Sequence, residues 1–497
     1  MYVVGIDLGT SGLKGLVFDE EGQQIKEATS SYPMNIPQAG YSEQKPQDWI
    51  HAADQVLKEL VEQVPDLKEN LEGISFSGQM HSLVLLDEEG DVLRPAILWN
   101  DVRTTKQCQQ LTEMLGETLL QHTKNCALEG FTLPKIRWVQ EFEPDVWSKV
   151  KQILLPKDYL RYWLTGNYNM DFSDAAGTLL LDQEKLKWDQ EILAKCEIPM
   201  SILPPLVDST EVVGTLKHEL KEKYSFTQDV KIVAGGADNA CGAVGTGILE
   251  EGRGLCSIGT SGVFLRYEES VFKDYQGKLH LFQHALAGSA YSMGVTLAAG
   301  ASLNWFKERF APNHSFKELL AEIGTVAAGS EGLLFTPYLV GERTPYSDSK
   351  IRGSFIGIDA QHELKHFTRS VIEGITFSLK ESQEMMEQIT HQKIDQIVSV
   401  GGGAKNQEWL QIQADIFNAS IITLTTEQGP GLGAAMLAAV GCGWFPDLHT
   451  CSSKFVAYKP AIYPDPQRVE IYQKIYARYR KVYKSTKEIC HIYADEK

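Results

Sequence analysis

The tetrad Gly-Thr-Ser-Gly occurs twice, at residues 9–12 and 259–262, half the chain apart. Short apolar runs flank each copy: Tyr2-Val3-Val4-Gly5-Ile6 and 13–18 around the first, 254–258 and Val263-Phe264-Leu265 around the second. Apolar runs split by a glycine-rich tetrad read as β-hairpins, so the chain is expected to contain two similar units that each open on such a hairpin. Its 497 residues exceed the ~250–300 at which one hydrophobic core stops growing. At ~150 residues per domain the length alone allows about three domains; the echo favours two. The glycine-rich stretch 243–252 sets the boundary, giving a first domain over 1–247 and a second over 248–497.

Within each half, strand-like runs alternate with helical ones. Residues 73–76 and 394–400 read as buried strands, whereas 47–63 and 406–418 carry a helical period, with Trp409, Ile412, Gln413 and Ile416 on one face. Such alternation predicts layered α/β domains with a cleft between them. The repeated Asp-Glu-Glu-Gly segments at 19–22 and 87–90 read as charged turns.

Composition removes several classes of function. Apolar residues at 43% and charged residues at 23% are ordinary globular usage. A net charge of -18 has the wrong sign for a nucleic-acid partner. The eight cysteines are scattered without a Cys-x-x-Cys pair, which fits reduced thiols rather than a disulfide framework. The first residues do not read as a signal peptide, and no apolar run reaches the ~18 residues a membrane span needs, so a cytoplasmic location is expected.

Candidate reactive residues cluster around glycines. Asp7 ends the first strand just before the tetrad, whose backbone N–H groups can face an anion. Thr10 and Ser11 add hydroxyl donors, Lys14 adds a point charge, and Asp7 is the type of oxygen ligand that a hydrated Mg²⁺ takes. With Gly259 and Thr260 forming the second cradle, a triphosphate would be held between the domains. Residues 398–404, including Gly403 and Ala404, run from strand through glycine loop into a helix, a context that brings a ligand to a helix N-terminus. Residues 427–435 form a further glycine segment without the acidic residue that a dinucleotide fold needs, and close helix packing accounts for it. No Gly-x-x-x-x-Gly-Lys-Ser/Thr is present, so this is not a P-loop protein.

Asp238, in Gly-Gly-Ala-Asp-Asn, lies at a strand end, where a carboxylate can orient an attacking hydroxyl and take its proton. The competing structural reading is a helix cap. Met80 and His81 offer an adaptable apolar wall and a donor–acceptor for sugar hydroxyls, and Leu98-Trp99-Asn100-Asp101 offers a second polar cluster.

One motif points elsewhere. His362-Glu363-Leu364-Lys365-His366 satisfies His-Glu-x-x-His, with both histidines on one helical face and Glu373, Glu381, Glu384 or Glu387 as further ligands. Its surroundings read instead as a solvated helix start, and zinc is not expected.

Taken in order, residues 6–12, 78–81, 98–101, 154–160, 173–178, 236–239, 257–262 and 337–345 closely resemble the xylulokinase branch of the FGGY family of carbohydrate kinases. The resemblance spans nearly the whole chain. It implies two actin-like (ribonuclease H-like) domains with a catalytic cleft, and ATP-dependent phosphorylation of D-xylulose to D-xylulose 5-phosphate. By matching motif it makes Asp238 the general base and gives Asp7 the support of Mg²⁺ and the phosphates, with the metal contact running through water. It sets Met80, His81, Asn239 and Asp101 beside the sugar, and Thr10, Ser11, Lys14, Gly259, Thr260, Gly403 and Ala404 toward ATP. Glycerol kinases resemble the same family but carry Arg-Glu at the Met80-His81 position. Ser82 and Ala237 stand where xylulokinases often have Gly, which bears on substrate preference rather than reaction type. A kinase for another ketose or polyol, and a nonenzymatic nucleotide-gated sugar sensor, are the alternatives; assembly is left open, a homodimer among the options.

Overall fold

The computed structural model describes residues 1–495. The two halves follow the same path. In the first, strand Tyr2–Leu8 pairs antiparallel with Gly12–Asp19, which pairs antiparallel with Gln24–Ser31. On its other edge Tyr2–Leu8 pairs in parallel with Leu71–Gly78, followed by Lys231–Val233 and the antiparallel edge Val212–Thr215. In the second, Arg253–Ile258 pairs antiparallel with Gly262–Glu268, then Ala290–Thr296 and His280–Gln283. Its other edge takes Gln396–Gly401 and Ser420–Ile422 in parallel. Both tetrads form the tight hairpin tips that the echo predicts, with Gly9 N–H donating to the Gly12 carbonyl at 3.0 Å and Gly259 N–H to the Ser261 carbonyl at 3.0 Å.

Helices cover these sheets for reasons visible in their sequences. Helix Pro46–Gln63 starts on a proline, whose missing N–H is not needed there. It buries Trp49, Ile50, Ala53, Val56, Leu57 and Leu60, the 3- and 4-residue spacing of an amphipathic stripe. Gly15 lets it approach, since a Cβ there would lie 2.5 Å from Val56 Cγ1. Helix Gln407–Phe417 begins on Asn406, whose side chain accepts from Trp409 N–H, and buries the expected face.

Helix Pro430–Cys442 crosses from one half to the other. It is apolar nearly all round and buried from Gly431 to Ala439, the pattern of a helix with no solvent face. Although it belongs to the second half of the sequence, it packs on strands Tyr2–Leu8 and Leu71–Gly78 and on helix Asp238–Gly245. Its glycines permit this: a Cβ on Gly433 would fall 1.9 Å from the Cys241 carbonyl oxygen, and one on Gly5 would fall 2.2 Å from that of Gly431. The cut at 247 and 248 thus separates the two sheets but not their packing. All eight cysteines are free, and among the described residues no helix is long and apolar enough to cross a membrane.

The His-Glu-x-x-His reading needs correction in its geometry. The helix begins at Leu364, so His362 precedes it and the two histidines do not share a helical face. His366 is buried rather than solvated; its Nδ1 accepts from Glu363 N–H at 2.9 Å, and its Nε2 lies 3.7 Å from Glu331. Glu373 is committed to Arg369 at 2.8 Å and to Tyr472 at 2.7 Å.

Candidate active site

Three strand ends converge on the reactive groups. Asp7 is in register with Ser77 of the neighbouring strand, and Gly236 meets Ser77 from that strand's other side. Asp238 follows two residues later, heading helix Asp238–Gly245. Both carboxylates keep an opening to solvent while protein surrounds most of each group. Burial pushes the Asp7 carboxyl up to about 6, against the opposing pull of Ser77 and Lys14. Burial, and then the negative charge of Asp7, push Asp238 up to about 7. Asp238 Oδ1 accepts from both the backbone N–H and the side-chain amide of Asn239, at 2.7 and 2.9 Å. Among the described residues no hydrogen bond reaches its other oxygen. Asp238 therefore heads the helix while remaining partly exposed.

His81 follows the strand Leu71–Gly78 and takes a left-handed backbone, φ 68°, a conformation that side chains other than glycine adopt under constraint. Its Nδ1 lies 2.6 Å from the Gly177 carbonyl oxygen. A carbonyl only accepts, so the proton sits on Nδ1 and Nε2 is an acceptor. Burial pulls the imidazole down to about 3, and it is neutral at pH 7. Gly177 must be small: a Cβ there would lie 2.8 Å from His81 Nδ1 and 3.0 Å from Met80 Cε. Met80 sulfur receives weak contacts from the Asn239 amide at 3.7 Å and the Tyr291 hydroxyl at 3.8 Å. Phe131 packs 4.8 Å from the His81 ring, and Phe282 reaches it at 5.9 Å from the second half. Met80, His81, Asp238 and Asn239 thus form one connected group.

Asp101 does not join them. It has no exposed area; Arg103 takes both of its oxygens at 2.7–3.0 Å, and Ser42 N–H donates to Oδ2 at 2.6 Å. This corrects the sugar-side expectation for Asp101, whose bonding capacity is spent inside the first domain.

At the first hairpin tip, Thr10 is fixed by neighbours that the sequence did not disclose: Trp99 Nε1 donates to its hydroxyl at 2.9 Å and Gln44 donates to its carbonyl at 2.6 Å. Ser11 is exposed at the tip. Lys14 lies opposite Asp7 in the hairpin, and its ammonium meets Glu27 at 3.3 Å and Gln428 at 3.1 Å.

The second-half loops enclose a cavity of about 1020 Å³, lined in part by Gly259, Thr260, Gly300, Gly402, Gly403 and Asn406. Close backbone contacts shape it. Gly300 N–H donates to the Gly259 carbonyl at 2.8 Å, and Ala301 N–H to that of Thr260 at 3.0 Å. Gly401 has φ 80° and its missing Cβ would fall 2.6 Å from the Ile258 carbonyl oxygen. Gln413, a polar residue on the buried face of its helix, holds Ser399 at 2.8 Å and the Gly403 carbonyl at 3.1 Å. Ala404 turns inward and packs against the core, while Lys405 beside it lines the cavity.

Residues 2–245 match the FGGY family of carbohydrate kinases, N-terminal domain, and residues 254–442 match the C-terminal domain of the same family. The chain is 58% identical to the xylulose kinase of Lactococcus lactis subsp. lactis, across 99% of its own length and 98% of that protein's. It is 51% identical to the xylulose kinase of Bacillus subtilis over 98% of each. Its fold overlays the crystal structure of a xyloylose kinase from Brucella ovis with a TM-score of 0.93, at 34% identity, covering 98% of this chain and 100% of that one. With both family domains matched in order, and relatives that share sequence and fold from end to end, this chain belongs to the FGGY family of carbohydrate kinases and has their two-domain actin-like fold.

Proposed function

We propose that this carbohydrate kinase transfers the γ-phosphoryl group of ATP to a hydroxyl of D-xylulose, giving D-xylulose 5-phosphate. The observation that carries the substrate is the 58% identity to a xylulose kinase over essentially the full length of both chains. The paired Met80 and His81 beside Asp238 and Asn239 support a polyhydroxy acceptor. The cavity of about 1020 Å³ with its glycine walls suits a nucleotide.

In this reading the free oxygen of Asp238 accepts a hydrogen bond from the attacking hydroxyl and then its proton. A base whose pKa lies near the working pH balances ionisation against proton affinity, and burial together with Asp7 supplies that tuning. His81 Nε2 accepts from a second hydroxyl and so fixes the sugar. Backbone amides of residues 260 and 402–403 bind the phosphates. The Asp7 carboxylate is an oxygen donor of the kind that Mg²⁺ takes and would hold it through water. When bound, Mg²⁺ would neutralise charge on the transferring phosphates. Phosphoryl transfer asks a protein mainly for position and electrostatics, and the site offers both.

The test is ADP release by the purified chain with ATP, Mg²⁺ and a panel of ketoses and polyols. D-xylulose is expected to give the highest kcat/KM. A higher value for D-ribulose or a polyol would move the proposal to that substrate, and ATP use indifferent to every sugar would remove it.

A further inference from the structure

Behind the reacting groups lies a charge cluster that takes no part in them. Lys157, on helix Pro156–Thr165, meets Asp171 at 2.7 Å, Asp158 at 2.9 Å and Asp174 at 3.0 Å, and none of the four side chains has exposed area. Arg161 adds a second cation 3.0 Å from Asp158. Three carboxylates this close could hold a divalent ion, but the Lys157 ammonium already stands among them. Buried ion pairs contribute little net stability, because desolvation offsets their attraction. What they do is fix the atoms they touch.

Those atoms lead to the site along one short segment. Asp171 Oδ2 accepts from Ser173 N–H at 2.9 Å, from the Ser209 hydroxyl at 3.0 Å and from the Ser173 hydroxyl. Ser173 Oγ accepts in turn from Ala237 N–H at 2.9 Å, and Ala237 is the residue before Asp238. At the far end of the same segment, the Gly177 carbonyl holds His81 at 2.6 Å. Lys157 also abuts the strand that delivers Met80 and His81, since a Cβ on Gly78 would lie 2.6 Å from its own. One stretch of seven residues, 171–177, thus touches the backbone under Asp238 and the ring of His81.

We propose that residues 171–177, anchored by Lys157, form a brace that sets Asp238 and His81 in one register, with Ser173 as the positioning residue for Asp238 and Gly177 for His81. The proposal rests on the roles given above to those two side chains. Ser173 touches no substrate in this scheme; it acts on the base through the Ala237 amide.

The two ends of the brace are expected to fail differently. Ser173→Ala leaves the Ala237 amide without its acceptor, and a displacement of the base by about 1 Å can cost ~10² in rate. It should lower kcat about 10- to 100-fold with both KM values within about threefold of the parent. Ser173→Cys, which keeps a weak acceptor of similar size, should fall between. Gly177→Ala should instead raise the D-xylulose KM at least about fivefold by pushing the imidazole. Kinetics are run well below each variant's melting temperature, with Asp238→Asn alongside. Parent-like kcat in folded Ser173→Ala, whatever the loss of melting temperature, overturns the brace while Asp238→Asn remains slow. A fast Asp238→Asn overturns it together with the assignment of the base.

Discussion

Asp7 and Gly236, which lies two residues before Asp238, both pair with Ser77 from opposite sides of its strand, and the negative charge of Asp7 reaches the Asp238 carboxyl. Each carboxylate is half-buried, and the charge on Asp7 is one of the reasons that Asp238 holds its proton. The rate should therefore depend on pH in a way that both residues set. With Asp238 at about 7, kcat/KM should rise about tenfold per pH unit below that value and level off above it. Asp7→Asn removes a negative neighbour, so proton release from Asp238 should move to lower pH. Titration of the metal-free, ATP-free protein by NMR checks the shift; movement to higher pH would refute the coupling.

Asp238→Asn should separate activity from stability. Loss of the base should lower kcat by ~10²–10⁴ while ATP still binds. The folded state raises this carboxyl from ~3.9 to about 7. Between those values the fold binds the proton more tightly than the unfolded chain, so stability declines as pH climbs through that window. The asparagine variant escapes the decline. It should melt above the parent at pH 8 and lose that advantage near pH 4. A parent-like kcat, or a melting difference independent of pH, would contradict the assignment.

His81→Ala should raise the D-xylulose KM while leaving the ATP KM within a few-fold, because the imidazole belongs to the first half and the cavity lined by Gly259 and Gly403 to the second. A buried partner of a sugar hydroxyl is worth ~1–3 kcal/mol. Steady-state kinetics with each substrate varied gives both constants, and an unchanged sugar KM would remove His81 from the acceptor site.

Residues 362–366 should hold no zinc. His362 lies ahead of the helix, and His366 already accepts from the Glu363 amide at 2.9 Å. Elemental analysis of untagged protein should find far less than one zinc per chain; a tightly held ion lost in His366→Ala would reverse this.

Gly433→Ala tests the helix that crosses between the halves. Its Cβ would fall 1.9 Å from a backbone oxygen of helix Asp238–Gly245, and overpacking of this type typically costs ~1–3 kcal/mol. Both the melting temperature and kcat should drop, since Asp238 heads the helix that must move. Gly443→Ala, at a glycine with no atom within 4 Å of its missing Cβ, is the companion change; there φ is 90°, so only backbone strain is expected.

Local signals carried the sequence reading furthest. The two hairpins, the buried face of residues 409–416 and the glycine turns follow from spacing alone, and the same segments form as expected. Asp101 misled because a polar residue after an apolar run looks the same whether it faces a ligand or its own chain. The Asp-x-Arg spacing to Arg103 was the available signal, since a guanidinium two residues on can take both oxygens. Gln413 was legible as a polar residue on an apolar helical face, though not its partner Gly403, 10 residues before it. Ser173 and Ala237, or Trp99 and Thr10, are separated by 64 and 89 residues. No periodicity encodes such pairs; only the folded sheet brings them together.

Helix Pro430–Cys442 also limits how this enzyme can be taken apart. A fragment ending near residue 247 would keep every strand of the first sheet and lose the apolar helix that seals one of its faces. Hybrids that join the first half of one relative to the second half of another at the midpoint would seat a foreign helix against Gly5 and Cys241, where an added methyl group does not fit. Modular exchange in this architecture therefore has to be discontinuous, with residues 430–442 travelling with the first 247.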